Sequence, residues 1–190
     1  MILDAAENLM AARGYEATSV SALCQASGFP VGSVYHHFGS KAGVFRAVMQ
    51  RGVSRLSAEM ATVVPPGDTP QERMRLYFER APELMLRDVS YLRILHRSLS
   101  GSDNSAGALG RDTHEFVSAS LAEVTEPVAA QAGASDPAAL AKSLGLFSST
   151  YASGAVMIAG YEKGRLEAIM APLHDIARTK IDAEARVSAR

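Results

Sequence analysis

Residues 28–41 read "GFPVGSVYHHFGSK", placing Tyr35, His36, His37 and Phe38 side by side between two glycines. A core helix would alternate apolar and polar faces. A metal site needs more ligands than one adjacent histidine pair, whose side chains point apart on a helix. The stretch instead fits a short helix with Val34 and Phe38, four apart, facing inward. Val31, Gly32, Ser33, Tyr35, His36 and His37 are then left towards the outside.

The flanks support that reading. Ile2, Ala6, Leu9 and Met10 fall on one face of a first helix that stops near Gly14, a fitting residue for a helix end. Thr18 or Ser19 can cap a second short helix, with Val20, Leu23 and Cys24 inside. "ASG" at 26–28 makes a tight turn, and Pro30 suits the first turn of a third helix because its missing N–H would be unpaired there anyway. Ser40 is placed to cap a longer fourth helix carrying Val44, Phe45, Val48, Met49, Leu56 and Met60. Two helices joined by a short glycine turn form a helix-turn-helix, whose second helix enters the major groove with its N-terminal residues at the base edges.

Residues 2 to about 49 resemble the DNA-binding domain of the tetracycline-repressor (TetR) family of bacterial transcription regulators. The matching stretches are "ILDAAENLMAARGYEATSV" and "ALCQASGFPVGSVYHHFGSK". The glycine-aromatic before a Thr/Ser pair, the Gly-x-x-x-Gly-Ser-x-Tyr-x-His-Phe core and the Ser-Lys cap all fall at family spacing. The resemblance implies DNA contacts at Thr18, Ser19, Val31, Gly32, Ser33, Tyr35, His36 or His37, and Lys41, with Phe29, Val34 and Phe38 structural. Val31 departs from the basic or polar residue frequent there, and Ala42-Gly43 from the usual acidic pair.

Beyond the fourth helix no strand pattern is convincing, and the fold class expected is all-α. Residues 1–45 are expected to form the helix-turn-helix domain, and 46–190 a helical effector-binding and dimerisation domain. "VVPPGD" at 63–68 breaks the fourth helix. Thr69-Pro70-Gln71-Glu72 reads as a capping box. "SGSDNSAGALG" at 100–110 reads as a loop, followed by a helix over about 112–132. Asp136 and Pro137 start another, running to about 163, and a last helical segment spans 166–183. Pro82, Pro127 and Pro172 are each expected to kink or restart a helix.

Two apolar stripes share the 137–163 helix: Leu140, Leu144, Phe147, Tyr151 and Ile158, and then Leu146, Val156 and Met157. One can serve the protomer's core and the other a partner subunit, with Gly154 allowing close approach. Leu146, Gly154, Val156, Met157, Leu173 and Ile176 are the expected two-fold dimer residues. An apolar effector pocket is expected from Met74, Phe78, Met85, Leu95, His96, Leu99, Phe116, Val117, Phe147 and Tyr151. The family resemblance assigns effector binding and dimerisation to this part of the chain.

Composition narrows the partners. At 47% hydrophobic and 21% charged the chain suits a globular core, and a net charge of −1 means any contact with nucleic acid comes from a local surface. The single cysteine excludes an internal disulfide and fits a reducing cytosol, and no export signal is seen, so a cytoplasmic location is expected. The uncharged stretch 143–161 nears membrane-spanning length but is rich in Ser and Gly, so it reads as a buried helix. Arginine use and abundant alanine hint at a bacterial source.

No paired carboxylates, Ser/His/Asp set or phosphate-cradling loop stands out, so no cofactor, metal or catalytic residue is expected. The reading is a ligand-responsive repressor that leaves a palindromic operator when a small apolar effector binds. Two alternatives stand beside it: an all-helical ligand-binding protein or enzyme whose helix-turn-helix-like start is only structural, and a dimeric interaction module.

Overall fold

The computed structural model describes residues 1–63, 69–100 and 104–189; the side chains of 57, 60, 61, 63, 99, 100, 104–114, 116, 117 and 120 lie outside the description. The chain is all-α. Its helices are α1 (Ile2–Arg13), α2 (Val20–Ser27), α3 (Val31–Phe38), α4 (Lys41–Val63), α5 (Pro70–Arg87), α6 (Val89–Ser100), α7 (Asn104–Ala132), α8 (Pro137–Ala159), α9 (Lys163–Met170) and α10 (Pro172–Ser188). Two packing units result, one of Met1–Arg55 with Asp88–Thr113, the other of Leu56–Arg87 with His114–Arg190. The first unit thus runs past the expected limit at residue 45, to Arg55, and takes in Asp88–Thr113 as well.

The first unit is built around the inner faces that helical spacing marks. Ile2, Ala6 and Met10 of α1, Leu23 of α2, Val34 of α3, and Val44, Phe45, Val48 and Met49 of α4 are all buried. Tyr91, Leu92, Ile94 and Leu95 of α6 complete this core. Gly52 lets α4 meet α6 closely: a Cβ there would stand 2.3 Å from the Tyr91 ring.

Charges bind the same helices. Glu7 of α1, 12% exposed, accepts from Arg51 and from Arg55 Nη2 at 2.9 Å, while Arg55 Nε donates to Asp88 at 2.8 Å. Burial works against the Arg55 charge, but its hydrogen bonds to Glu7 and Asp88 win and raise its pKa. Such a shared set is costly to break singly, because the remaining partly buried charges lose their partner.

The second unit buries Met74, Phe78, Leu84 and Met85 of α5, Leu121, Val124 and Val128 of α7, and Leu140, Leu144 and Val156 of α8. Leu166 and Met170 of α9 join Leu173, Ala177 and Ile181 of α10 in the same core. The caps fall where the sequence places them: Thr69 Oγ1 accepts from Glu72 N at 3.2 Å, and Asp136 Oδ1 from Ala139 N at 3.0 Å. Glu72 does not reach back to complete the reciprocal box. It pairs with Arg75, which lowers its pKa.

Several expectations are corrected. Residues 104–110 are helical, since α7 begins at Asn104, and the glycines there do not stop it. Glu115, well inside α7, pairs with Lys142 at 3.3 Å. The 137–163 helix ends earlier, at Ala159, where Gly160 turns left-handed at φ 62°. The last segment is two helices meeting at Ala171, the restart at Pro172 being the one expected of that proline. Pro82 and Pro127, by contrast, sit within continuous helices. The expected break at 63–68 lies outside the described residues.

Candidate nucleic-acid interface

The head is assembled from small local devices. Ser19 Oγ accepts from Ala22 N at 3.1 Å and starts α2. Gly28, left-handed at φ 74°, ends it while its N–H donates to Cys24 O. Pro30 proves to be the N-cap of α3 and not its first turn, extended at ψ 152°. Gly39, at φ 71°, closes α3, and Ser40 Oγ then accepts from Gly43 N at 3.1 Å to open α4. Losing the Ser19 hydroxyl removes a cap worth about 1 kcal/mol. Ser19→Ala is therefore expected to lower the urea midpoint while leaving the helical circular dichroism of the folded protein intact.

With these ends fixed, α3 turns Val34 fully inward and leaves Val31, Gly32, Tyr35, His36 and His37 exposed, with Ser33 and Phe38 half-buried. The His36 and His37 rings meet edge-on at 5.1 Å. Ser19 is exposed at the start of α2, and Arg46 is exposed on α4.

Three expected roles change. Thr18 is 1% exposed; its Oγ1 donates to Gly14 O at 2.8 Å and its N–H to Tyr15 O, so it holds the α1–α2 turn and offers no donor outward. Lys41 Nζ donates to Tyr15 O at 3.1 Å and to Glu16 O at 3.4 Å, and lies 4.1 Å from the centre of the Tyr15 ring. Its first task is to fasten that turn to α4, with at most one N–H left for a phosphate. Burial, then the Glu16 charge, raise the Tyr15 pKa against the opposing Arg46, so the ring under Lys41 stays neutral. Phe29, expected to be structural, is 44% exposed. Standing outside α2 and α3, it escapes the periodicity that identifies buried residues.

Residues 2–48 match the family described as "Bacterial regulatory proteins, tetR family". The match takes in α1, α2 and α3 and the start of α4. The repressor KstR of Rhodococcus jostii is 32% identical over 107 residues, 56% of this chain and 50% of that protein. The repressor ComR of Escherichia coli is 42% identical over 57 residues, 30% of this chain and 27% of its own length. Thus the chain spans about half the length, or less, of these curated relatives. In fold it is similar to the TetR family regulator PfmR of Thermus thermophilus, at TM-score 0.59 and 26% identity, covering 93% of this chain and 96% of the other. The family and these relatives are regulators of transcription, not enzymes.

Outside the tetR head the expected site residues divide. Of the pocket list, Met74, Phe78 and Met85 are buried in the second unit, whereas Leu95, buried, and His96, half-buried, belong to the first. Tyr151 is half-buried and its hydroxyl donates to Ile169 O at 2.9 Å, tying α8 to α9. Phe147 does not face inward: it is 46% exposed. The side chains of Leu99, Phe116 and Val117 lie outside the described residues.

Of the dimer list, Val156 and Leu173 are fully buried within the second unit and cannot meet a partner. Leu146, Gly154 and Met157 are half-buried and Ile176 is exposed. The outward stripe of α8 is instead Phe147, Gly154 and Ile158, continued past the helix end by Tyr161. Periodicity found the α8 stripes, but could not say which one the neighbouring helices cover. Among the described residues no helix is long and apolar enough to cross a membrane, and no group of three His, Cys, Asp or Glu side chains is placed to hold a metal.

Proposed function

We propose that this chain is a DNA-binding transcription regulator whose α3 reads base edges in the major groove. The observation carrying this is the exposure of Val31, Gly32, Tyr35 and His36 along a helix whose opposite side, Val34, is the core. A helix held so by its inner face offers the outer one as a rigid reading surface. Ser19 and the free N–H groups at the start of α3 serve phosphates.

The protein works as a two-fold dimer through α8 and α10. In support, Phe147, Ile158, Tyr161, Ile176 and Val187 are large apolar or aromatic side chains left exposed on or beside these helices. Grouped apolar exposure of this kind marks interaction surfaces. Gly154 has no atom within 4 Å of where a Cβ would stand, leaving room for close helix approach. Placing a charge on that face should break the dimer, so Ile158→Glu is expected to sediment as a monomer where the parent protein sediments as a dimer.

The finer part of the proposal is release from a palindromic operator by a small, largely apolar effector. The second unit contains two adjoining recesses of about 360 and 370 Å³, of ligand-binding size. Met74 lines one and Phe78 the other, and Arg75 and His174 border both. Glu72, Arg178 and Asp182 in the first and Glu79, Glu167 and Asp175 in the second make the linings about half polar, so the recesses support a small effector and not its apolar character. An effector acts only by binding the operator-free conformation more tightly than the operator-bound one.

The test is selection of bound fragments from a random duplex pool at two salt concentrations, with Tyr35→Ala in parallel. Enrichment of a palindrome that weakens with salt and with the substitution is the expected result. No enrichment at low salt would leave the structural-scaffold alternative standing.

A further inference from the structure

Between Thr18 and Lys41 the sequence contains no Asp, Glu, Lys or Arg. The reading helix itself, Val-Gly-Ser-Val-Tyr-His-His-Phe, has none of the Arg, Lys, Asn or Gln side chains that make paired hydrogen bonds to guanine or adenine. What it holds out to water is apolar and aromatic. Val31 is 47% exposed and Tyr35 52%, and Phe29, just ahead of the helix, is 44% exposed.

Position adds to chemistry. Val31 is the first residue of α3, at the end that meets base edges when such a helix lies in the groove. Gly32 beside it has no atom within 4 Å of where a Cβ would stand, so nothing projects there to hold the helix off the bases. Valine and phenylalanine side chains pressed against hydrogen-bonding base edges would strip those edges of water without replacing the bonds. Against a methyl group the same burial is favourable. In unmodified DNA, thymine alone presents a methyl in the major groove.

We propose that this head recognises its operator through thymine C5-methyl groups seated on Val31 and Phe29, not through paired hydrogen bonds to guanine. The inference rests on the DNA-reading function above and names the chemistry that gives it specificity. Ser33 and the two histidines supply single hydrogen bonds beside the methyl contacts. Since the α2–α3 segment has no lysine or arginine, its share of counterion release is small, and the salt dependence of binding comes from the rest of the head.

The experiment uses the full chain and duplexes enriched from a random pool, remade with deoxyuridine in place of thymidine within the half-sites. This removes only the C5-methyl and leaves the pairing and the protein unchanged. One buried methyl corresponds to about fourfold in affinity, so losing one in each half-site of a two-fold complex should cost roughly 16-fold. Val31→Ser should bind the thymine duplex more weakly and discriminate less between the two duplexes, while deoxyuridine placed outside the half-sites should change nothing.

Equal affinity of the parent protein for both duplexes would overturn the inference while leaving DNA reading intact. So would enrichment of half-sites made only of G·C pairs. Failure to enrich any sequence would remove the function on which the inference rests, and the inference with it. In that case the exposed trio would be better read as a surface for another protein.

Discussion

Phe45→Ala is expected to destabilise the first packing unit by about 3–5 kcal/mol, the usual cost of emptying a buried aromatic site. Phe45 is completely buried in α4 and meets the Tyr15 ring edge-on at 5.1 Å, and Lys41 lies over the other partner of that pair. Truncation would therefore loosen the α1–α2 turn as well as the core. Since a domain of this kind has a total stability of about 5–15 kcal/mol, a large part of its margin would go. Urea unfolding followed by circular dichroism measures the effect. A loss below about 1 kcal/mol would mean that Phe45 does not hold the head together.

In the second unit the corresponding weak point is a glycine. A Cβ at Gly145 would stand 2.4 Å from the Ser118 carbonyl oxygen, a backbone atom that cannot rotate aside. Gly145→Val must push α8 away from α7, at the upper end of the roughly 1–3 kcal/mol that overpacking costs, or beyond it. Gly154 on the same helix faces open space. Alanine there relieves the helix of a poor former, worth up to about 1 kcal/mol in an isolated protomer. Thermal unfolding at concentrations low enough to hold the protein as a monomer separates the two cases: a sharp fall in Tm for Gly145→Val with none for Gly154→Ala is expected. Equal falls there would place a close neighbour at Gly154 within the protomer; a fall for Gly154→Ala that appears only at concentrations where the dimer forms is what the proposed α8 interface predicts.

The sequence was most legible where local rules act alone. Ser19, Ser40, Thr69 and Asp136 cap the helices they precede because each needs only its own side chain and an N–H three residues on. Val34 and Leu23 point inward because a three-helix head has only one inside. Where several helices compete to cover one another, spacing was not enough. Val156 and Leu173 looked available to a partner and are core, while Phe147 looked like pocket and is surface.

Polar side chains misled for a different reason. Thr18 and Lys41 carry the right groups for phosphate, yet both spend donors on carbonyls of the α1–α2 turn, a tertiary contact that no periodicity reports. The helix start near 104 was missed because glycine disfavours a helix without stopping one, whereas the restart expected at Pro172 is present. α7 continues through Gly107 and Gly110, whereas α9 gives way at Ala171, ahead of Pro172.

The most direct test of a two-headed groove reader is a hydroxyl-radical footprint of the protein on its selected duplex. Two protected patches are expected on one face of the DNA, their centres about 10–10.5 base pairs apart or a multiple of that spacing. Both should fade together in Tyr35→Ala. A single patch, protection spread evenly along the duplex, or a footprint unchanged by that substitution would contradict the account.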